Sequence, residues 1–396
     1  MFKSVKNHFP IFKNTDFIYL DSASSTHKPQ VVLDAVNDFY TTAYSNVHRG
    51  NCALAVKATT LYEEAREEVA EFLGTMPQNI VFTKGATEAI NLVASGYAKT
   101  LTAKDEVLIS IAEHHANFVP WQQACLQTGA TLKVFNVHDD GSFDMDDFKR
   151  KLSRQTKIVA VTQASNILGL INPVDKIIKM AHDMGAKVLI DGAQSIAHHA
   201  VNITDLGCDF FAFSGHKIYG PTGIGVLYGT NAAFENLPPY QFGGDMIENV
   251  SIAKTTFKKA PAKFEAGTPP SSGAIGLAAA LKFVQKIGIK NIEAEEKRLT
   301  GILMAELEKL PQVKILGNNP DKSGIVAMTF DNVHPSDVAA ILSKENICVR
   351  VGFHCAMPIH TRFDIPVSLR VSLGVYTTED DIYKLIKALK KALAFF

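Results

Sequence analysis

The chain has 396 residues, 46% of them apolar and 20% charged, which suits a globular protein with room for more than one core. Its 40 basic and 40 acidic side chains cancel, so the electrostatic footprint of a nucleic-acid or anionic-membrane binder is missing. No apolar run approaches the roughly 18 residues of a membrane span.

The five cysteines (52, 125, 208, 348 and 355) are scattered with no Cys-x-x-Cys pair, which argues against a disulfide scaffold or zinc knuckle. The start, Met1-Phe-Lys-Ser-Val-Lys, lacks the continuous apolar stretch of a signal peptide. A reducing, cytoplasmic setting is expected.

In chain order, residues 1–18 are too few for a domain and are expected to pack on the C-terminal one. Leu61–Gly74 reads as an amphipathic helix closed by glycine. Short apolar strands follow at 80–83, 106–111, 132–135, 158–162, 187–190 and 209–213, separated by helical patterns. Most are apolar throughout, as strands covered on both faces are. They predict a large α/β domain, residues 19–272, with a mainly parallel sheet. Residues 223–228 follow too closely for a helical crossover and predict an antiparallel return strand.

The Gly-, Pro-, Ser- and Lys-rich stretch 240–273 reads as a long functional loop. A helical pattern from 272 to about 310, broken near Gly288, leads into a small α+β domain, residues 273–396. Its strands are expected at 325–330, 347–351 and 368–372, and its helices at 336–344 and 378–394.

The polar residues recur at the carboxyl ends of the predicted strands, where ligands bind in open α/β sheets. The strand at 209–213 runs into Ser214-Gly-His-Lys217, and the strand at 187–190 ends on Asp191. A strand-end amine facing a strand-end carboxylate is what pyridoxal phosphate needs. The lysine makes the imine link, and the carboxylate keeps the ring nitrogen protonated. Lys84-Gly-Ala86-Thr87-Glu88 at a helix start offers backbone N–H groups to a phosphate, although Thr before Glu is also an ordinary helix cap. His114-His115 and His198-His199 lack metal-ligand spacing, so no metal site is expected. One imidazole of the first pair is better used over a flat ring.

Gly85-Ala-Thr-Glu-Ala-Ile-Asn91, Glu113-His-His-Ala-Asn117, Asp191-Gly-Ala-Gln194 and Ser214-Gly-His-Lys-Ile-Tyr-Gly-Pro-Thr-Gly-Ile-Gly225 resemble the class V aminotransferase group of fold-type-I pyridoxal phosphate enzymes. Phe264-Glu-Ala-Gly-Thr-Pro269 and Arg350-Val-Gly-Phe-His-Cys355-Ala-Met-Pro358 narrow the resemblance to the SufS-type (group II) cysteine desulfurases. It covers the chain from Tyr19 to the last helix.

The resemblance implies that Lys217 is the cofactor-linked lysine, that Asp191 pairs with the ring nitrogen, and that His115 stacks on the ring and shuttles protons. Asn166 and Gln194 would hold the ring hydroxyl region. Thr87, Ser214, His216 and the Ala86 backbone would bind the phosphate, and Thr268 would reach the phosphate of the neighbouring subunit in a homodimer. Arg370, with Arg350 and Asn166, would take the substrate carboxylate.

Cys355 would be the nucleophile that receives sulfur from L-cysteine, leaving L-alanine, with His354 and Arg350 favouring its thiolate. A SUF-type acceptor protein would then carry the sulfur to iron–sulfur cluster assembly. The family often has Gly-His-His-Cys, where this chain has Phe353 before His354. Two alternatives are a selenocysteine lyase or cysteine-sulfinate desulfinase on the same scaffold, and a cofactor-bearing docking protein without turnover.

Overall fold

The computed structural model describes residues 2–396. Near the N-terminus, β1 (Ile18–Tyr19) is followed by a seven-stranded sheet. That sheet is built from β2 (Ile80–Thr83), β3 (Glu106–Ser110), β4 (Thr131–Phe135), β5 (Thr156–Thr162), β6 (Lys187–Asp191), β7 (Phe210–Ser214) and β8 (Gly225–Gly229). The order across it is β2-β8-β7-β6-β5-β3-β4. Only β8 runs against the rest, being antiparallel to both β2 and β7, as its short connection from β7 predicts. The strands alternate their side chains between two covered faces. Ile158 and Ala160 enter one core layer, and Val159 and Val161 the other. Each buried aliphatic side chain of this kind stabilises by about 1.5–3 kcal/mol.

The stretch expected as a continuous loop contains an antiparallel hairpin, β9 (Ile247–Val250) with β10 (Thr255–Phe257). Its β-branched residues were masked by the glycines and prolines on either side. The helices Ser271–Ile287 and Ile289–Leu307 meet at a 71° bend, as the break at Gly288 requires. No single helix among the described residues is long and apolar enough to cross a membrane.

The second sheet contains β11 (Val313–Ile315), β12 (Ile325–Phe330), β14 (Arg350–Gly352) and β15 (Ser368–Ser372) in the order β11-β12-β15-β14. The strand expected at 347–351 is split. Its first part, β13 (Ile347–Cys348), pairs with β1, and its second pairs with β15. The chain at 18–22 therefore runs along the small sheet, with Asp21 bridged to Ser372, rather than opening the large one.

The first residues wedge between the lobes. Phe9 is fully buried against Tyr376, Phe283 and Tyr219, and Lys6 lies 3.3 Å from Asp381. The final helix, Glu379–Leu393, is closed at its start by a Thr378–Asp381 capping box and keeps Lys384, Lys387, Lys390 and Lys391 in solvent.

Candidate active site

Because β8 alone is reversed, β2, β3, β5, β6 and β7 all deliver their carboxyl ends to one edge of the sheet. At that edge lies a cavity of about 180 Å³. Its walls include Ala86 and Thr87 after β2, His114 after β3, Asn166 after β5, Asp191 at the end of β6, and Ser214, His216 and Lys217 at the end of β7. The small lobe closes it with Arg350, His354, Cys355 and Arg370.

Lys217 ends a short 3₁₀ turn, Gly215–Lys217. Burial lowers its pKa to about 8; the two arginines, 370 and 350, push the same way, while Asp191 and Cys355 oppose them. The result is an amine that gives up its proton more readily than an ordinary lysine, with a growing neutral fraction as pH approaches 8 that can act as a nucleophile or base. Asp191 is buried and accepts a hydrogen bond from the Ala193 N–H at 2.9 Å. Burial raises its pKa, while the nearby Lys217 and that N–H favour its charged form.

The helix Ala86–Tyr97 points its N-terminus at the cavity. The Ala86 N–H donates to Ser214 Oγ at 2.8 Å, which joins two of the expected phosphate ligands. The turn and β8 touch so closely that a Cβ on Gly225 would lie 2.3 Å from Gly85 Cα. Burial lowers the His216 imidazole to about 4, so it is neutral.

The two neighbouring histidines separate. His114 caps the helix His115–Thr128, accepting the Ala116 N–H at its Nδ1, and lines the cavity. Burial and the charge of Lys217 push it down to about 3. His115, expected over the ring, does not line this cavity. It is the first helical residue, and its side chain turns outward to the Cys355 loop. Its N–H donates to the Cys355 carbonyl at 2.6 Å, and its Nε2 accepts the Met357 N–H at 3.0 Å.

Cys355 sits between two spaces. It lines the inner cavity and also a groove of about 450 Å³ that runs between the helices Ala86–Tyr97 and His115–Thr128. His354 and Cys355 both have left-handed backbone conformations, with φ of 49° and 56°, at a cost of roughly 1–2 kcal/mol per residue. The large lobe holds them there through the His115 contacts and through Asn166, whose Nδ2 donates to the His354 carbonyl at 2.7 Å. His354 cannot favour the thiolate as a cation. Burial lowers it to about 3, and its Nε2 faces the Ser368 carbonyl and hydroxyl.

Arg370 is 2% exposed, with Nη1 donating to the Asn166 carbonyl and Nη2 to Asp21 and Ser24. Its Nε and the Nδ1 of His354 are buried without a partner, so two residues of the cavity wall each keep one unmet polar atom. Two further expected residues are not among those lining the cavity. Gln194 is buried and donates to the Ala23 carbonyl, and Thr268 is exposed away from the cavity. Sequence reasoning missed His114, Ala23, Ser24 and Asp21. Only the start of the helix at His115 would have separated the two histidines.

The aminotransferase class-V family model matches residues 18–385. The chain belongs to the class-V aminotransferase family. Among class-V relatives, a probable cysteine desulfurase of Halalkalibacterium halodurans is 44% identical over 99% of this chain and 98% of its own length. A cysteine desulfurase of Dickeya dadantii is also 44% identical, over 98% of this chain and 95% of its own.

Solved structures agree. The cysteine desulfurase CsdA of Escherichia coli superposes with a TM-score of 0.93 at 37% identity, covering 100% of this chain and 99% of that one. The apo cysteine desulfurase of Thermococcus onnurineus NA1 gives a TM-score of 0.96 at 37% identity, covering 99% and 98%.

Proposed function

We propose that this class-V protein is a pyridoxal phosphate-dependent cysteine desulfurase that converts L-cysteine to L-alanine and takes the sulfur onto Cys355. The observation that carries the reading is one cavity lined by both Lys217 and Cys355, which come from different lobes. The relatives' names point the same way.

The residues present suit the cofactor. Asp191, lining the cavity, would pair with the ring nitrogen, and the Ala86–Tyr97 helix start with Ser214, His216 and Thr87 would hold the phosphate. When bound, pyridoxal 5'-phosphate supplies an electron sink that acidifies the substrate Cα–H and weakens its Cβ–S bond.

Lys217, in its neutral form, removes the Cα proton and returns it. Arg370 holds the substrate carboxylate, a task suited to a rigid guanidinium. The Cys355 thiolate attacks the substrate sulfur. The new S–S bond forms as the Cβ–S bond breaks, and proton uptake at carbon leaves L-alanine. His114, uncharged throughout the working pH range, would cover the ring in place of His115, which holds the Cys355 loop.

Thr268, exposed and outside the cavity, is consistent with service to a second subunit of a homodimer. We assign residues 19–272 as the cofactor-binding domain and 273–396 as the small domain, against whose strands the first residues of the former, Tyr19 and Asp21, pack. The sulfur then leaves Cys355 for a SUF-type acceptor protein, in a cytoplasmic iron–sulfur assembly role. Cys355→Ala should lose alanine formation from L-cysteine while the bound cofactor keeps its absorbance; normal turnover by that variant would remove Cys355 from the mechanism.

A further inference from the structure

Asp21 stands beside the arginine that takes the substrate carboxylate, and the reaction described so far gives it no part. Its backbone is fixed by the bridge to Ser372 on β15, the strand that also carries Arg370. Arg370 Nη2 donates to Asp21 Oδ1 at 2.9 Å and to Ser24 Oγ at 2.7 Å. The Ser24 hydroxyl donates to the same Asp21 oxygen at 2.6 Å and accepts from Arg350 Nη1, also at 2.6 Å. Ser24 lines the cavity, so this cluster lies at its edge rather than behind it.

A buried guanidinium with no counter-ion is costly, and here Asp21 neutralises it. An amino acid entering the cavity therefore meets an arginine that is already paired, with a like charge beside the place its own carboxylate must take. The charged groups facing that place are Arg370, Arg350 and Lys217 on one side of the balance and Asp21 and Asp191 on the other.

We propose that Asp21 sets the affinity for the α-carboxylate. It competes with substrate and product for the Arg370 guanidinium, so that both are held more loosely and alanine leaves more readily than Arg370 alone would allow. The proposal rests on Arg370 as the carboxylate site.

The test is equilibrium titration of the cofactor-loaded enzyme, by calorimetry and by cofactor absorbance, with L-alanine and with ethylamine, which lacks the carboxylate. Asp21→Asn keeps the side chain's shape and oxygen acceptor but removes its charge. It should bind L-alanine roughly tenfold tighter, the order expected on removing one nearby like charge. Ethylamine affinity should stay within about twofold, and Asp21→Glu should return alanine affinity to the parent value.

If Asp21→Asn folds poorly, Asp21→Ser removes the same charge from a smaller side chain and should shift alanine affinity in the same direction. Unchanged or weaker alanine binding in the neutral variants, or equal shifts for both ligands, overturns the proposal. Arg370→Gln tests the underlying reading separately. If that variant still prefers alanine to ethylamine as strongly as the parent does, Arg370 is not the carboxylate site.

Discussion

The separation of His114 from His115 predicts that alanine substitutions at the two positions behave differently. His115→Ala keeps the backbone N–H that donates to Cys355 but removes the Nε2 that accepts from Met357. One neutral hydrogen bond is worth about 0.5–1.5 kcal/mol, or roughly a 2- to 12-fold change in the population of the closed loop. Met357 is 47% exposed, so water can replace the lost acceptor and the lower end of that range is expected.

Sulfur transfer, followed as alanine formed in single turnover, should therefore slow by a few-fold while the cofactor spectrum stays unchanged. His114→Ala should instead alter the spectrum, because that side chain lines the cavity. A changed spectrum in His115→Ala, or a loss of turnover beyond about a hundredfold, far above what one such bond supplies, would refute the assignment.

Two other predictions concern protons. Burial alone would lower the His198 pKa, but the Glu296 carboxylate 2.6 Å from its Nδ1 outweighs burial and raises it. The stability this pair contributes is fully present below the unfolded histidine value of about 6.5 and is lost as pH rises through the raised folded value. Glu296→Gln should cost about 3–5 kcal/mol just below the unfolded histidine value and less at alkaline pH, measured by urea unfolding; an equal cost at both would contradict it. In the cofactor-free protein, the rate of pyridoxal phosphate uptake should climb with pH through about 8, as the buried Lys217 loses its proton. Lys217→Ala should show no such imine absorbance at any pH.

The sheet was legible because β5, β6 and β7 are apolar on both faces, and because Lys217 and Asp191 fall where such strands end. A strand end gives direction without contacts from other segments, so the cavity's large-lobe wall followed from local pattern. The small-lobe wall did not. Asp21 meets Arg370 across 349 positions of chain, and no spacing rule links them. His354 sits beside Cys355 in sequence and so suggested a charged neighbour, but burial against Ser368 leaves it neutral. The hairpin β9–β10 was hidden in an average over flanking glycines and prolines, and the pairing of β1 with β13 is a tertiary event that no local pattern announces.

The most direct measurement is mass spectrometry of the cofactor-loaded protein after brief exposure to L-cysteine, with the peptide containing residue 355 mapped before any reductant is added. One additional sulfur atom on Cys355, absent after exposure to L-alanine and absent when Lys217 is replaced by alanine, is the result expected of a lysine and a cysteine that share one cavity. Sulfur found on Cys52, Cys125, Cys208 or Cys348 instead, or released with Cys355 never modified, would contradict it.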